Sequence, residues 1–200
     1  MRYCYLILLA LVLFMGCSSP EKPAATFGYF EGFAQGTTFH IKYKQSEDSV
    51  RQEDIYAILS AVDQSLSIYN KNSLISRINR NEADETDKYM DRIIKASFRY
   101  YDMTDGAFDI TVGPLVNAYG CGPDSTRQLI NGTLDSLLPL VGMNKIKLKD
   151  NHLTKENPAI QLDANAIAQG YAVDLIAEFL ETKGITDYMV EIGGEVRVKG

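Results

Sequence analysis

The chain has 200 residues, 46% of them hydrophobic, with 20 Lys and Arg against 26 Asp and Glu and a pI near 5.0. An acidic chain without a basic stripe has nothing to offer a nucleic-acid backbone by counterion release, so a nucleic-acid partner is excluded. The two histidines, His40 and His152, lie far apart in the sequence, and the cysteines suggest no disulfide framework. A zinc site, a histidine-based triad and a disulfide scaffold are therefore unexpected.

Arg2 precedes an apolar run from Tyr5 to Met15 that closes on Gly16-Cys17. At about eleven residues the run is too short to span a bilayer, which needs about twenty. Residues 1–16 read as a signal peptide, and the residues before Cys17 resemble a bacterial lipobox. Cys17 is then the acylated mature N-terminus, carrying palmitate. That places the protein in the bacterial cell envelope, extracytoplasmic and lipid-anchored. The competing reading leaves Cys17 a bystander of an uncleaved anchor or of plain secretion. Residues 17–27, with Pro20 and Pro23, form a tether. Residues 28–200 are enough for one domain with its own core.

Thr37 to Tyr43 alternates as a half-buried strand, with Phe39, Ile41 and Tyr43 inward and His40 on the solvent side. Ser49 and Gln52 suggest a capping box for a helix carrying Ile55, Ile58, Leu59, Val62, Leu66 and Tyr69 at helical spacing. A polar link over 71–87 leads to a second helix with Met90, Ile93, Ile94, Ser97 and Tyr101 on one face, ending near Gly106. A short helix over 133–140 follows, then strands over 145–149 and 159–162 around a turn at Asp150-Asn151. A third long helix is expected over 163–183, with Ile167, Tyr171, Leu175 and Phe179 as its stripe and Gly184 as its stop. Two strands around Gly193-Gly194 complete the chain. This order predicts an α+β domain with a mixed, largely antiparallel sheet flanked by helices. The last strand leaves a sheet edge uncovered, so the sequence is expected to end inside its fold, truncated at the C-terminus.

Three segments pair glycines with carboxylates: Gly106 to Gly122 with Asp109, Leu162 to Asp174 with Asp163 and Asp174, and Val190 to Gly200 with Glu191 and Glu195. Glycine lets a backbone approach a ligand closely. Asp163, at a helix start, suits either a cap or the neighbourhood of a bound phosphate. Together the segments point toward a nucleotide-like ligand.

The same segments resemble the FAD:protein FMN transferases, or ApbE-like flavin transferases. The likeness begins at QGTTFHI and continues through DQSLSIYNKNSLISRIN, GAFDITVGPLVNAYGCG and LDANAIAQGYAVD to VEIGGEVRVKG. It implies an ApbE-like fold and Mg²⁺-dependent transfer of FMN from FAD to a threonine hydroxyl of a target protein, with release of AMP. The acceptor threonine would lie in a motif like Asp/Ser-Gly-Ala/Ser-Thr-Ser/Thr, for instance in a membrane redox subunit.

Carried over by position, the resemblance implies FAD contacts at Gln35, Tyr69, Ala107, Phe108, Asp109, Asp163 and Gln169. It also implies a Mg²⁺ contact at Ala166 through its backbone carbonyl. No catalytic residue follows from it. Tyr69 fits ring stacking or the end of a helix stripe equally well, and Asp109 fits a ligand contact or an anchor for its own loop. Gln169 stands where the family usually has lysine, and Gln35 where it usually has methionine. Cys121 reads as a small core residue. The family's side-chain Mg²⁺ ligands lie in a later Asp-Ala-x-x-Thr-like motif that these 200 residues lack. The alternative is therefore an FAD-binding lipoprotein without transferase activity.

Overall fold

The structure, a computed structural model, describes residues 26–45, 50–123 and 133–200. Ser49 and Cys17 lie outside them. Strands β1 (Phe27–Ala34) and β2 (Thr37–Lys44) form a hairpin pairing Phe27 with Lys44 and Ala34 with Thr37. Its two-residue turn, Gln35-Gly36, has φ of 52° and 77°. Both values are positive, as the tight hairpin turn matched to strand twist requires. β1 was not anticipated, and it starts at Phe27, one residue before the expected domain boundary.

Helix α1 (Gln52–Leu66) follows. Its start is held by Asp54, which accepts from the Arg51 backbone N–H at 3.3 Å and from the Arg51 guanidinium at 2.8 Å. Arg51 is thus the cap residue in place of the expected Ser49. The link after α1 contains a helix that polar composition concealed, α2 (Leu74–Asn79), whose Leu74, Ile75 and Ile78 are buried. Ser73 caps it, accepting from Ser76 N at 3.2 Å while donating to Ser67 O at 2.7 Å. Helix α3 (Lys88–Met103) is capped by Asp87, whose Oδ1 accepts from Tyr89 N, Met90 N and Ser65 Oγ.

Within the glycine-rich segment lies a one-turn helix, α4 (Gly113–Ala118). A short helix, α5 (Thr133–Leu137), precedes the small hairpin of β3 (Ile146–Lys149) and β4 (His152–Lys155). The expected strand over 159–162 is absent: Asp150-Asn151 turns so tightly that the partner strand begins at His152. Gln161 instead makes an isolated parallel bridge to Val112.

Helix α6 (Asn165–Thr182) runs into β5 (Tyr188–Ile192) and β6 (Glu195–Lys199). The main sheet has the order β1-β2-β5-β6, antiparallel throughout. Its inner face (Phe39, Ile41, Val190, Ile192) packs with Ile55 and Leu59 of α1, Ile93 and Ile94 of α3, and Ile176 and Leu180 of α6. Each such aliphatic side chain contributes about 1.5–3 kcal/mol by leaving water. The expected α6 stripe is corrected. Ile167, Leu175 and Phe179 are half-buried, while Ala172, Val173, Ile176, Ala177 and Leu180 are buried. α6 is covered by the sheet on one side and by α1 and α3 on the other, and a helix buried on several sides shows no single stripe. Among the described residues no helix is long and apolar enough to cross a membrane.

Candidate functional site

The stretch before α6 is gripped from both sides. Asn79 Nδ2 donates to Leu162 O at 2.9 Å, and Asn79 Oδ1 accepts from Leu162 N at 2.7 Å. Asp163 N donates to Ile110 O at 2.7 Å, and Asn117 Nδ2 to Gln161 Oε1 at 3.0 Å. Gly113 makes the approach possible, because a Cβ there would lie 2.6 Å from Gln161 O. The first two segments singled out in the sequence are therefore one laced structure. They set the height and direction of the first turn of α6.

On one side of that turn is a cavity of about 620 Å³ lined by Gln35, Asp63, Tyr69, Asn165, Ala168 and Gln169. Gln35 reaches it from the β1–β2 turn, and its Oε1 is buried without a partner. Asp63, on α1, was not anticipated; its only signal was an acidic residue between the buried Val62 and Leu66. Burial holds its carboxyl above the usual carboxylate range, with a hydrogen bond from Gln35 opposing. Tyr69 lies beyond the end of α1, 61% exposed, and its hydroxyl donates to Cys121 O at 3.4 Å. The ring is at the cavity mouth and is no part of the core, so it does not end the helix stripe. Gln169 is pressed by the β5–β6 turn, where a Cβ on Gly193 (φ 59°) would lie 3.3 Å from its Nε2 and 2.8 Å from Thr37 Cγ2. Among the described residues no lysine or arginine lines this cavity. Its amides can pair with the edge of a flat ring or with phosphate oxygens, and they leave phosphate charge unneutralised.

Asp163 points elsewhere. It is 7% exposed and lines a neighbouring cavity of about 630 Å³ with Gly113, Asn117 and Asn79. Its Oδ1 accepts from Asn165 N at 2.8 Å, so it braces the helix entry from two residues outside, with Ala164 at the cap position. Burial pushes its carboxyl up, opposed by that N–H. Asn117 Oδ1 is buried there without a partner.

Ala107, Phe108 and Asp109 line neither cavity. Asp109 Oδ1 accepts from Thr111 N at 2.7 Å and Thr111 Oγ1 at 2.6 Å, and its Oδ2 accepts from Met143 N at 3.1 Å. Both oxygens accept from the protein, so Asp109 anchors its own loop. Phe108 meets Tyr100 edge-on at 5.8 Å, and Ala107 is exposed.

Ala166 opens onto a third groove, of about 510 Å³, with Arg92, Arg99 and Arg197. Arg92 is paired with Glu178, and Arg197 with Asp174 at 2.9 Å. Among the described residues no three His, Cys, Asp or Glu side chains are grouped to hold a metal. Ala166 has only a backbone carbonyl to offer, short of the oxygen set a magnesium ion needs. The described residues alone do not fit Mg²⁺. Cys121 is exposed and free, contrary to the core role expected of it. His40 bonds Glu191 through Nδ1 at 2.7 Å on the outer sheet face.

Gln35, Tyr69 and Gln169 thus converge on one cavity, Asp163 and Ala166 border the adjacent ones, and the Ala107–Asp109 run supports the frame. A model of the ApbE family matches residues 35–200. The chain belongs to the ApbE family.

Among its relatives, the FAD:protein FMN transferase of Vibrio cholerae is 35% identical over 100% of this chain and 61% of its own length. That of Haemophilus influenzae is 34% identical over 98% of this chain and 60% of its own length. The solved flavin transferase ApbE from Vibrio cholerae superposes with a TM-score of 0.81 at 33% identity, covering 88% of this chain and 60% of that one. The apo flavinyl transferase ApbE of Pseudomonas stutzeri gives 0.80 at 31% identity, covering 88% and 62%. The α+β fold is the fold of these ApbE proteins, of whose length this chain spans about three fifths.

Proposed function

We propose that this chain carries the flavin-nucleotide-binding part of an FAD:protein FMN transferase. The observation that carries the reading is the convergence of Gln35, Tyr69 and Gln169, from a strand turn, a helix end and a helix start, on one cavity. Tyr69 supplies an open aromatic face for a flat ring. Gln35 and Gln169 supply amide donors and acceptors for its edge, and Asn165 and Ala168 bring the first turn of α6 to the cavity wall. In the transfer, a threonine hydroxyl oxygen of the target protein bonds to the FMN-side phosphorus as the pyrophosphate P–O bond breaks. AMP leaves with the bridging oxygen and its electron pair, and the hydroxyl proton passes to solvent.

Mg²⁺ belongs to this proposal as a requirement of the full-length protein, where it would neutralise pyrophosphate oxygens. The acceptor is a threonine in a motif like Asp/Ser-Gly-Ala/Ser-Thr-Ser/Thr. The protein works outside the cytoplasm, held to the membrane by a lipid on Cys17. The test is to incubate the full-length protein with FAD, Mg²⁺ and a threonine peptide of that motif. The peptide should gain the mass of FMN as AMP appears, with loss on chelation and in Tyr69→Ala.

Among the described residues the cavity lining holds no cationic side chain, which favours a second reading, an FAD-binding lipoprotein without transfer. Tight FAD binding with no AMP release at saturating Mg²⁺ would decide for it.

A further inference from the structure

The outer face of the main sheet carries a group of exposed apolar side chains. Alternation along β1 turns Gly28, Phe30, Gly32 and Ala34 toward the core and leaves Phe27, Tyr29 and Phe33 outside, 50%, 53% and 67% exposed. Register aligns Tyr29 with Lys42, Lys42 with Met189, and Met189 with Val198 in one row across the face. Met189 and Val198 are 38% and 66% exposed. Scattered exposed apolar side chains are ordinary, whereas a contiguous patch marks an interaction surface.

Charge is distributed unevenly over this face. At the end where β1 begins, Lys44 is paired in register with Phe27, and the Lys42 ammonium lies 5.2 Å over the Phe27 ring. The Lys44 ammonium is 3.8 Å from Asp187, with both side chains over 40% exposed. One row further along are Glu31, His40 and Glu191. The end nearest residue 26 thus carries two aromatic rings and two lysines with Asp187 beside Lys44, and Glu31 of the next row accepts from the Tyr29 hydroxyl at 2.9 Å. Aromatic bodies beside long lysine stems with exposed ends are the composition of a lipid–water interface anchor.

We propose that the corner formed by Phe27, Tyr29, Lys42 and Lys44 seats on the anionic lipid–water interface of the membrane to which the chain is tethered. The proposal rests on the reading of Cys17 as the lipid anchor. Only residues 18–26 separate Cys17 from Phe27, a reach of at most about 35 Å when extended. The corner is thus the part of the fold closest to the anchor along the chain. A chain of net charge -6 is repelled by an anionic surface in most orientations; Lys42 and Lys44 give this corner a local attraction to it. Seated this way, the eight residues of β1 hold the Gln35-Gly36 turn, and the cavity beside it, roughly 25 Å from the corner. A membrane-bound acceptor would be met at a set height.

These 200 residues contain no tryptophan, so Phe27→Trp, Phe33→Trp and Tyr119→Trp each add one reporter, read as the difference from the unsubstituted protein. The full-length acylated protein is reconstituted in phosphatidylglycerol–phosphatidylcholine vesicles whose acyl chains are brominated. Phe27→Trp emission should be quenched several-fold more than Phe33→Trp, with Tyr119→Trp unchanged. Adding Lys42→Glu and Lys44→Glu, or using phosphatidylcholine alone, should remove most of the Phe27→Trp quenching. Quenching of Phe27→Trp no greater than that of Tyr119→Trp overturns the docking. So does shielding of Phe27→Trp from acrylamide without vesicles, which would mean that polypeptide, from the same chain or a second copy, covers the face. Mass spectrometry of Cys17 separates the two failures: an unacylated Cys17 removes the premise, whereas an acylated Cys17 with an unquenched Phe27→Trp overturns docking alone.

Discussion

Asn79 and Leu162, 83 residues apart, are joined by two hydrogen bonds in which the Asn79 amide takes both the N–H and the C=O of Leu162. The side chain does what a neighbouring strand would do. It fixes a non-strand segment at the entry of α6, and with it the positions of Asn165 and Gln169 in the cavity.

Replacing Asn79 by alanine leaves a buried backbone donor and acceptor unpaired at Leu162. The expected cost is about 2 kcal/mol, a fall in Tm of about 4–8 °C for a domain of this size. Asn79→Asp keeps the acceptor and loses the donor, so it should fall between. Thermal denaturation by circular dichroism checks both, and FAD affinity should weaken in the same order.

Gly113→Ala drives a methyl group into the Gln161 carbonyl, where the neighbouring atom is backbone and cannot swing away. Overpacking of this kind costs about 1–3 kcal/mol, measurable as a lower urea midpoint with an unchanged slope. Gly193→Ala combines a left-handed backbone with crowding of Thr37 and Gln169. It should weaken FAD binding more than its loss of stability alone would explain.

The open ring of Tyr69 can be removed with little effect on folding. Tyr69→Ala should lose about 1 kcal/mol of ring contact, raising the FAD dissociation constant roughly fivefold to tenfold. Tyr69→Phe should bind close to wild type. Gln169→Lys puts a cation in a cavity where the described residues supply none, and should tighten FAD at low salt with the gain shrinking as ionic strength rises. Fluorescence titration with FAD reads all three.

Asp163 and Asp63 are both held above the usual carboxylate range, mainly by burial. Between the unfolded and folded values of such a group the native state binds more protons than the unfolded state. Its contribution to stability therefore falls as pH rises through that window, and is restored on acidification. Asp163→Asn keeps the acceptor for Asn165 N–H and removes the titration. Relative to wild type it should look most favourable at pH 7.5, and the difference should narrow as pH falls toward 4. Denaturant melts at several pH values test this; a difference that stays constant with pH would refute it.

α1, α3 and most of α6 were legible because local patterns dictate them: apolar residues recur at helical spacing and Gly106 and Gly184 stop the helices. The β5–β6 hairpin was equally plain from alternation around paired glycines. α2 was not, because six residues carry too little periodicity to stand out from a polar link, and only docking of Leu74, Ile75 and Ile78 against the core makes them helical. β1 was missed because its outward positions are aromatic and its inward ones include two glycines, reversing the usual alternation. The inner residues are small because Tyr43, Phe39 and Tyr56 fill the space where a Cβ would go.

The site divides in the same way. Motif order alone pointed to the family, and position within those motifs pointed to Gln35, Tyr69 and Gln169, even though two of the three are residue types the family does not usually have there. Their convergence on one cavity was settled only by the packing of a strand turn, α1 and α6 around it. That Asp109 spends both oxygens on Thr111 and Met143, that Asp63 joins the cavity, and that Cys121 is exposed were equally beyond local pattern. A polar group's role depends on which partner reaches it first, and partners more than thirty residues away, such as Met143 for Asp109, are chosen by tertiary packing.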